Sequence, residues 1–315
     1  MADNGGQWER EVLEKLAISG IKEQRAARRW GIFFKLLGFA YVTAILLFAF
    51  DWQKTDGITD GKHTALIEVN GVISPRSDSS AERINTALQA AFKDAKTQGV
   101  VVRINSPGGS PVQSQNIYDE MRRLRAKYPN IPLYAVVEDL CASGGYFIAV
   151  GADRIFVNKS SLVGSIGVRM DSWGVTGLMD KLGVERRLLT AGENKGFLDP
   201  FLPVEEKHKE HALNMLADIH QQFINVVKEG RGKRLKEAPE IFSGLIWTGQ
   251  KSIDLGLADG FGSLDYVARE IIKAEDIVDY SQKENLAEKF ARRLGAGAAG
   301  ALAEFAMRAS PAIAW

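Results

Sequence analysis

The sequence predicts an α/β protein with a mainly parallel sheet, preceded by one N-terminal transmembrane helix. Two observations carry this prediction. From Thr64 onward, short β-branched runs alternate with helical periodicities. Before them, residues 31–50 form an apolar run whose only charged residue is Lys35.

The apolar run has the length and flanks of a membrane anchor. About twenty residues at about 1.5 Å each span the hydrocarbon core of a bilayer. Arg28 and Arg29 precede the run, and Asp51 follows it. Because positive charge stays on the cytoplasmic side, residues 1–30 are expected to be a cytoplasmic tail, with the rest exported from the inner membrane. The alternative is a buried core helix. Cleavage as a signal peptide is disfavoured, because large side chains occupy the C-terminal end of the run, where a cleavage site needs small residues.

The alternating segments are read in order as strand and helix. They are a strand over 65–69, a helix over 79–98, a strand over 100–104, a helix over 112–127, a strand over 133–137, a helix from 144 to 149 and a strand over 154–157. This succession predicts parallel strands joined by crossover helices. The expected organisation is a linker over 51–63, one domain over 64–280 and an Ala/Gly-rich tail over 281–315. The tail allows three readings: a helix on a neighbour, a membrane-surface segment or a flexible end.

Composition excludes several classes of function. The chain has 315 residues and a formal net charge of +1, so no global field favours nucleic acid as a partner. Its single cysteine, Cys141, cannot form an intramolecular disulfide, and no Cys/His cluster has metal-ligand spacing. We expect neither a metal nor a cofactor. Cys141 is read as a packed small side chain rather than a reactive thiol.

Two loops are expected at the carboxyl ends of strands, where parallel sheets place functional residues. The first, Asn105–Pro111, contains Gly108 and Gly109, which allow a sharp turn and can point an N–H outward toward negative charge. An ordinary strand-to-helix turn is the alternative. The second, Glu138–Ser143, presents a serine hydroxyl at a helix start, next to the free N–H of Gly144. Here the alternative is that Ser143 merely caps the helix.

A serine nucleophile needs a base, and the sequence offers histidine or lysine. His63 lies in the expected linker, and the other three histidines, His208, His211 and His220, lie in a polar helical stretch that reads as a solvated face. Lys195 lies between two glycines and just before apolar residues. A lysine base works when burial or nearby cations favour its neutral form, although most lysines are surface groups.

Taken together, these segments resemble the signal peptide peptidase A / protease IV family of serine proteases, in its short, single-domain form. The matching segments are Arg103–Gly109, Ala142–Ala149, Ala152–Phe156, Leu162–Val168, Gly192–Lys195 and Trp247–Gly260. The resemblance implies a crotonase/Clp-protease-like ββα superhelix.

The resemblance also implies roles for individual residues. Ser143 matches the nucleophile, Lys195 the general base and Ser165 a hydroxyl that orients the lysine. Gly109 and Gly144 match the backbone donors of the oxyanion hole. Glu193 and Asn194 depart from the small or aromatic residues that are commoner beside the lysine.

The implied activity is that of a membrane-anchored endopeptidase that degrades cleaved signal peptides or other short apolar peptides. A homo-oligomer is implied, in which Ser143 and Lys195 of one site can come from neighbouring subunits. Three alternatives stay open: a sibling protease that processes membrane proteins, an acyl-CoA enzyme of the same fold and an inactive membrane scaffold. Export argues against the second, because coenzyme A is cytoplasmic, and the retained site residues argue against the third.

Overall fold

A computed structural model describes residues 13–15, 18, 22, 24–25, 28–43, 61–236 and 238–281. The chain divides into two compact units, Met1–Ile58 and Thr59–Trp315, and each is considered by itself. The predicted tail beyond residue 281 and most of the predicted linker lie outside the described residues.

The first unit contains a helix over residues 28–43, which includes the first part of the predicted anchor. Residues 44–50 of that anchor lie outside the described residues. Among the residues that the structure describes, no helix is both long enough and apolar enough to cross a membrane.

The second unit alternates strands and helices along the chain. Its strands are β1 (His63–Asn70), β2 (Thr97–Ser106), β3 (Leu133–Ala142), β4 (Arg154–Val157), β5 (Leu162–Gly164), β6 (Ile246–Thr248), β7 (Gly260–Phe261) and β8 (Ile277–Asp279). Its α-helices are α1 (Ala81–Lys93), α2 (Pro111–Lys127), α3 (Gly144–Ala149), α4 (Thr176–Leu182), α5 (Glu206–Arg231), α6 (Gly249–Asp254) and α7 (Leu264–Tyr266). A π-helical stretch, Val267–Ile272, follows α7, and short 3₁₀ turns occupy Gly232–Arg234 and Pro239–Phe242.

The strands form one sheet in the order β6-β5-β3-β2-β1-β8. Outside this order, β4 pairs with β3, and β7 pairs with β4. Neighbouring strands are parallel except β5 and β6, which are antiparallel. The register places Val69 beside Ile104, and Ile104 beside Val137. The carboxyl ends of β1, β2 and β3 therefore lie at one edge of the sheet, which confirms the predicted α/β class with a mainly parallel sheet.

The main hydrophobic core lies on one face of the sheet, under α1, α2, α3 and α5. The helical faces predicted from periodicity are buried there, including Leu88 of α1 and Met121 of α2. Side chains alternate along β2, so Val100 and Val102 join this core while Val101 joins a smaller cluster on the opposite face. Burial on both faces explains why β2 reads as a continuous β-branched run.

The third strand is longer than its sequence suggests. The sequence predicts a strand that ends at Val137 and a loop over Glu138–Ser143. That prediction is wrong: β3 continues to Ala142, because its last three residues, Leu140–Ala142, pair with β5. Ser143 therefore follows a paired strand directly.

A buried ion pair fastens the end of α5 to the domain. The Arg231 side chain is 1% exposed and donates two hydrogen bonds to the Asp259 carboxylate, at 2.8 and 2.9 Å. Its Nε also donates to the Gly256 carbonyl at 2.7 Å, and Asp259 accepts from the Ile155 amide at 2.7 Å. Pairing and hydrogen bonding on all sides offset the cost of burying these two charges.

Candidate active site

Ser143 lies at the sharp turn between β3 and α3, with φ 52° and ψ −122°. A positive φ costs a non-glycine residue about 1–3 kcal/mol, and such strain is concentrated at functional sites. The Ser143 side chain makes no capping hydrogen bond, so the helix-cap interpretation is wrong. The hydroxyl is partly exposed at the start of a helix, as in a nucleophile elbow.

The glycine turn after β2 packs directly against the Ser143 turn. A Cβ added to Gly108 would lie 2.7 Å from both the Gly144 nitrogen and the Ser143 Cβ. A Cβ added to Gly144 would lie 3.3 Å from the Gly109 nitrogen and 2.5 Å from the Ser114 hydroxyl. The two turns therefore approach at backbone distance, and only glycine leaves room for this contact.

This packing brings two backbone amides to the same place. Gly109 has φ +154° and is exposed, and its amide donates none of the backbone hydrogen bonds found in the described loops. Gly144 is the first residue of α3, so its amide has no partner within the helix. Two such donors beside a serine hydroxyl can hold the negative charge of a tetrahedral intermediate.

Ser106 supports the glycine turn from beneath, a role that the sequence analysis missed. Its side chain is fully buried; the hydroxyl donates to the Gly71 carbonyl at 2.6 Å and accepts from the Gly108 amide at 3.1 Å. The available signal was a serine placed between a buried strand and a Pro-Gly-Gly turn. Only the three-dimensional structure shows that the side chain points inward.

Ser165 lies close to Ser143 along the sheet. The Ser143 amide donates to the carbonyl of Gly164 at 2.9 Å, and the Ser165 amide donates to the Leu245 carbonyl at 2.7 Å. Ser165 also has a positive φ, 52°, and is partly exposed. The structure thus brings the backbones of Ser143, Ser165, Gly109 and Gly144 close together.

Lys195 lies on a turn of its own and is exposed. Its amide donates to the Gly192 carbonyl at 3.2 Å, and Gly192 has φ +105°, which favours glycine there. Within the described part of the chain, no hydrogen bond joins the lysine amine to Ser143. The predicted base is therefore the one site residue that this single chain does not show next to the serine.

Three of the four histidines differ from their predicted surroundings, whereas His211 is exposed as predicted. His63 is not in a linker: it is the first residue of β1, 2% exposed, and its ring contacts the Tyr280 hydroxyl at 3.0 Å. His208 is 7% exposed, because Asn194 and Phe197 cover it. These side chains lie under neighbouring segments that are distant in sequence, so helical periodicity alone could not place them.

His220 is partly buried and donates a ring N–H to the Ile166 carbonyl at 3.1 Å. It therefore holds the segment that carries Ser165. Cys141 is buried as predicted, and burial raises the pKa of its thiol, which favours the unreactive protonated form.

Two protein-family models match the chain. Residues 125–278 match Peptidase family S49, and residues 66–163 match Clp protease. The matched ranges together extend from within β1 to within β8 and include Ser143 and Lys195.

Individual relatives agree with these matches. A Methanocaldococcus jannaschii protein named as a protease is 32% identical over 241 residues, which are 75% of this chain and 72% of that protein. A signal peptide peptidase SppA by name, from Enterococcus faecium, is 30% identical over 226 residues, covering 69% of this chain and 65% of the relative. A Brucella melitensis protein named Na(+)/H(+) antiporter NhaA is 47% identical over 177 residues, or 56% of this chain.

The chain spans only 24% of the length of the Brucella protein, so that similarity concerns a minor part of it. By contrast, the jannaschii protein is covered over most of its length at an identity that establishes common descent. The chain therefore belongs to peptidase family S49, a family of serine proteases.

Proposed function

We propose that this protein is a membrane-anchored serine endopeptidase in which Ser143 is the nucleophile and Lys195 the general base. The observation that carries the proposal is the position of Ser143. It has a positive φ, its side chain makes no capping hydrogen bond, and it lies beside the free amides of Gly109 and Gly144. Such an arrangement serves acyl transfer, because the donors lie where the oxyanion forms. Ser165 orients the lysine in this proposal. Membership of a peptidase family disfavours the acyl-CoA enzyme and the inactive scaffold.

The chemistry follows from these groups. The unprotonated amine of Lys195 accepts the Ser143 proton as the serine oxygen bonds to the peptide carbonyl carbon. The amides of Gly109 and Gly144 donate to the resulting oxyanion. The lysine ammonium then protonates the leaving amine as the C–N bond breaks. Water attacks the acyl-enzyme and gives a proton to the same lysine, which returns it to the serine oxygen as the acid product leaves.

We propose further that Ser143 and Lys195 of one site come from neighbouring copies in a homo-oligomer. Lys195 is exposed in the single chain, and in the described range 167–207 no residue is buried. Large apolar side chains lie exposed in that range, including Trp173 at 84% and Leu189 at 96%. A neighbouring copy would cover such a surface and complete the site.

The proposed setting is the outer face of the inner membrane, with residues 31–50 as a single-pass anchor and the N-terminus in the cytoplasm. The charge asymmetry around that segment supports this orientation. Cleaved signal peptides and other short apolar peptides are the proposed substrates, since anchoring raises the frequency of encounter with peptides in the bilayer. The name of the Enterococcus relative supports this substrate class.

The test uses the full chain in detergent with a short apolar peptide ester as substrate. Ser143→Ala and Lys195→Ala should each abolish turnover while both variants stay folded. If the two residues act across copies, mixing the two inactive variants under conditions of subunit exchange should restore part of the activity. Full activity in Lys195→Ala would refute the lysine base, and inactivity of every mixture would refute sharing between copies.

Substrate class is tested separately with the active protein. We expect a synthetic signal peptide in lipid vesicles to be cleaved faster than an intact single-span membrane protein. The opposite order would favour the sibling protease that processes membrane proteins.

A further inference from the structure

The turn that carries Lys195 is fastened to the beginning of α5 by a buried histidine. His208 Nε2 lies 3.2 Å from Asn194 Oδ1, and His208 is 7% exposed. Because the amide oxygen can only accept, the histidine nitrogen donates in this bond. Asn194 immediately precedes Lys195, so the bond holds the residue next to the proposed base.

Two further contacts join the same turn to the same helix. The ring of Phe197 packs edge-on against the rings of His208 and His211, with centroids 5.5 and 5.6 Å apart. Lys207 pairs with Glu193 at 3.0 Å, but both side chains are exposed, and such pairs contribute little. The hydrogen bond from His208, which is partly buried, is thus the specific polar link between helix and turn.

The direction of the Lys195 side chain depends on this turn. The amine has no hydrogen-bond or ion-pair partner among the described residues, and the backbone is held locally by bonds from the Lys195 amide to Gly192 and from the Phe197 amide to Asn194. A change in the backbone dihedral angles of Asn194 would move the backbone of the neighbouring Lys195. A displacement of about 1 Å at a catalytic group can cost on the order of a hundredfold in rate.

We propose that His208 is a positioning residue for the general base, acting on Lys195 through the side chain of Asn194. The inference rests on the proposed function, because it assigns a purpose to the orientation of Lys195. His208 does not touch the reacting atoms. Removing the ring donor releases the Asn194 side chain, which is exposed and can then turn to water.

The experiment uses the full chain and the same ester substrate. It compares four single variants, His208→Phe, His208→Gln, His211→Phe and Lys195→Ala, and one double variant that combines Asn194→Ala with His208→Phe. Phenylalanine keeps the ring but removes the donor, whereas glutamine keeps an N–H at a similar reach. His211→Phe is the matched control, because His211 packs on the same Phe197 ring without bonding to the turn. The quantities measured are kcat, KM, the pH profile of kcat, thermal unfolding and oligomer size.

We expect His208→Phe to lower kcat by about tenfold or more with KM changed by less than about threefold, while unfolding and oligomer size stay close to wild type. His208→Gln should restore most of kcat, and His211→Phe should match wild type. Combining Asn194→Ala with His208→Phe should add no further loss, because both break the same bond.

Several results would overturn the inference. One is a wild-type kcat in His208→Phe. Another is an equal loss of kcat in His208→Phe and His208→Gln together with a lower unfolding temperature, which would indicate a purely structural role. Lys195→Ala separates the two levels of the proposal. If it remains active, the proposed dyad fails; if it is inactive while His208→Phe is normal, only the positioning role fails.

Discussion

Replacing Ser106 with alanine removes the hydroxyl that connects the glycine turn to the strand beneath it. The change leaves the buried Gly108 amide without its acceptor, while the Gly71 carbonyl, which is partly exposed, can turn to water. An unsatisfied buried donor costs about 1–3 kcal/mol, so the free energy of unfolding should fall by that amount. The turn also carries Gly109, and a misplaced oxyanion donor should lower kcat by about tenfold to a hundredfold.

Urea unfolding and ester hydrolysis measure the two effects on the same preparation. Ser252→Ala is the matched control: Ser252 is equally buried, but its hydroxyl donates only to the Gly249 carbonyl inside α6, which also accepts a helical hydrogen bond. Its loss should therefore cost less than about 1 kcal/mol and leave kcat largely unchanged. If Ser106→Ala retains wild-type kcat while the stability falls, the hydroxyl supports the fold alone and the reasoning about the oxyanion turn is refuted.

Three other predictions follow from buried groups. Gly108→Ala should abolish hydrolysis, because the added Cβ would lie 2.7 Å from the Ser143 Cβ. Activity within about tenfold of wild type, a loss that is small compared with the loss of an oxyanion donor, would contradict this prediction. Burial raises the pKa of the Asp259 carboxyl, but the hydrogen bonds and charge of Arg231 outweigh it, so the pKa lies below its ordinary value. The ion pair therefore stabilises the fold above about pH 4 and loses its effect as pH falls through the lowered pKa. Asp259→Asn should lower the free energy of unfolding by about 3–5 kcal/mol at pH 7 and by progressively less in acid. A pH-independent difference in urea unfolding would count against this. Finally, Cys141 should resist iodoacetamide in the folded protein and react once it is unfolded; rapid native alkylation, detected by mass spectrometry, would show that the thiol is accessible.

Much of the fold could be predicted from local pattern. β2 was recognised because burial on both faces requires an uninterrupted β-branched run, and α1 and α2 because their apolar residues share one face. The end of β3 was misjudged, because on one side the strand changes partner from β4 to β5, and the exposed polar residues between the two pairings resemble a turn. Pairing with β5 is a long-range property that no short window of sequence contains.

The residues of the candidate site also fall into those that the sequence predicts and those that only the fold reveals. Ser143, Gly109 and Gly144 are recognisable because turns after parallel strands need glycine, and a serine there stands out. Ser106 and His208 escaped notice, because their importance depends on partners that the fold brings close. Buried polar groups of this kind become visible only when hydrogen bonds can be followed across the sheet and between helix and turn.

The interlocked glycines of the two turns also bear on how this protein could change over evolutionary time. Gly108 and Gly109 have positive φ, and an added Cβ at either of them or at Gly144 would meet another atom within 2.7 Å. Single substitutions there offer no intermediate of partial fitness, so this wall of the active site is closed to gradual adaptation. The described range 167–207 has no buried residue, so packing inside this chain constrains it less away from the turn that carries Lys195 and from the proposed contact with a neighbouring copy. New substrate preferences would therefore arise through that segment, while the chemistry beside it stays fixed.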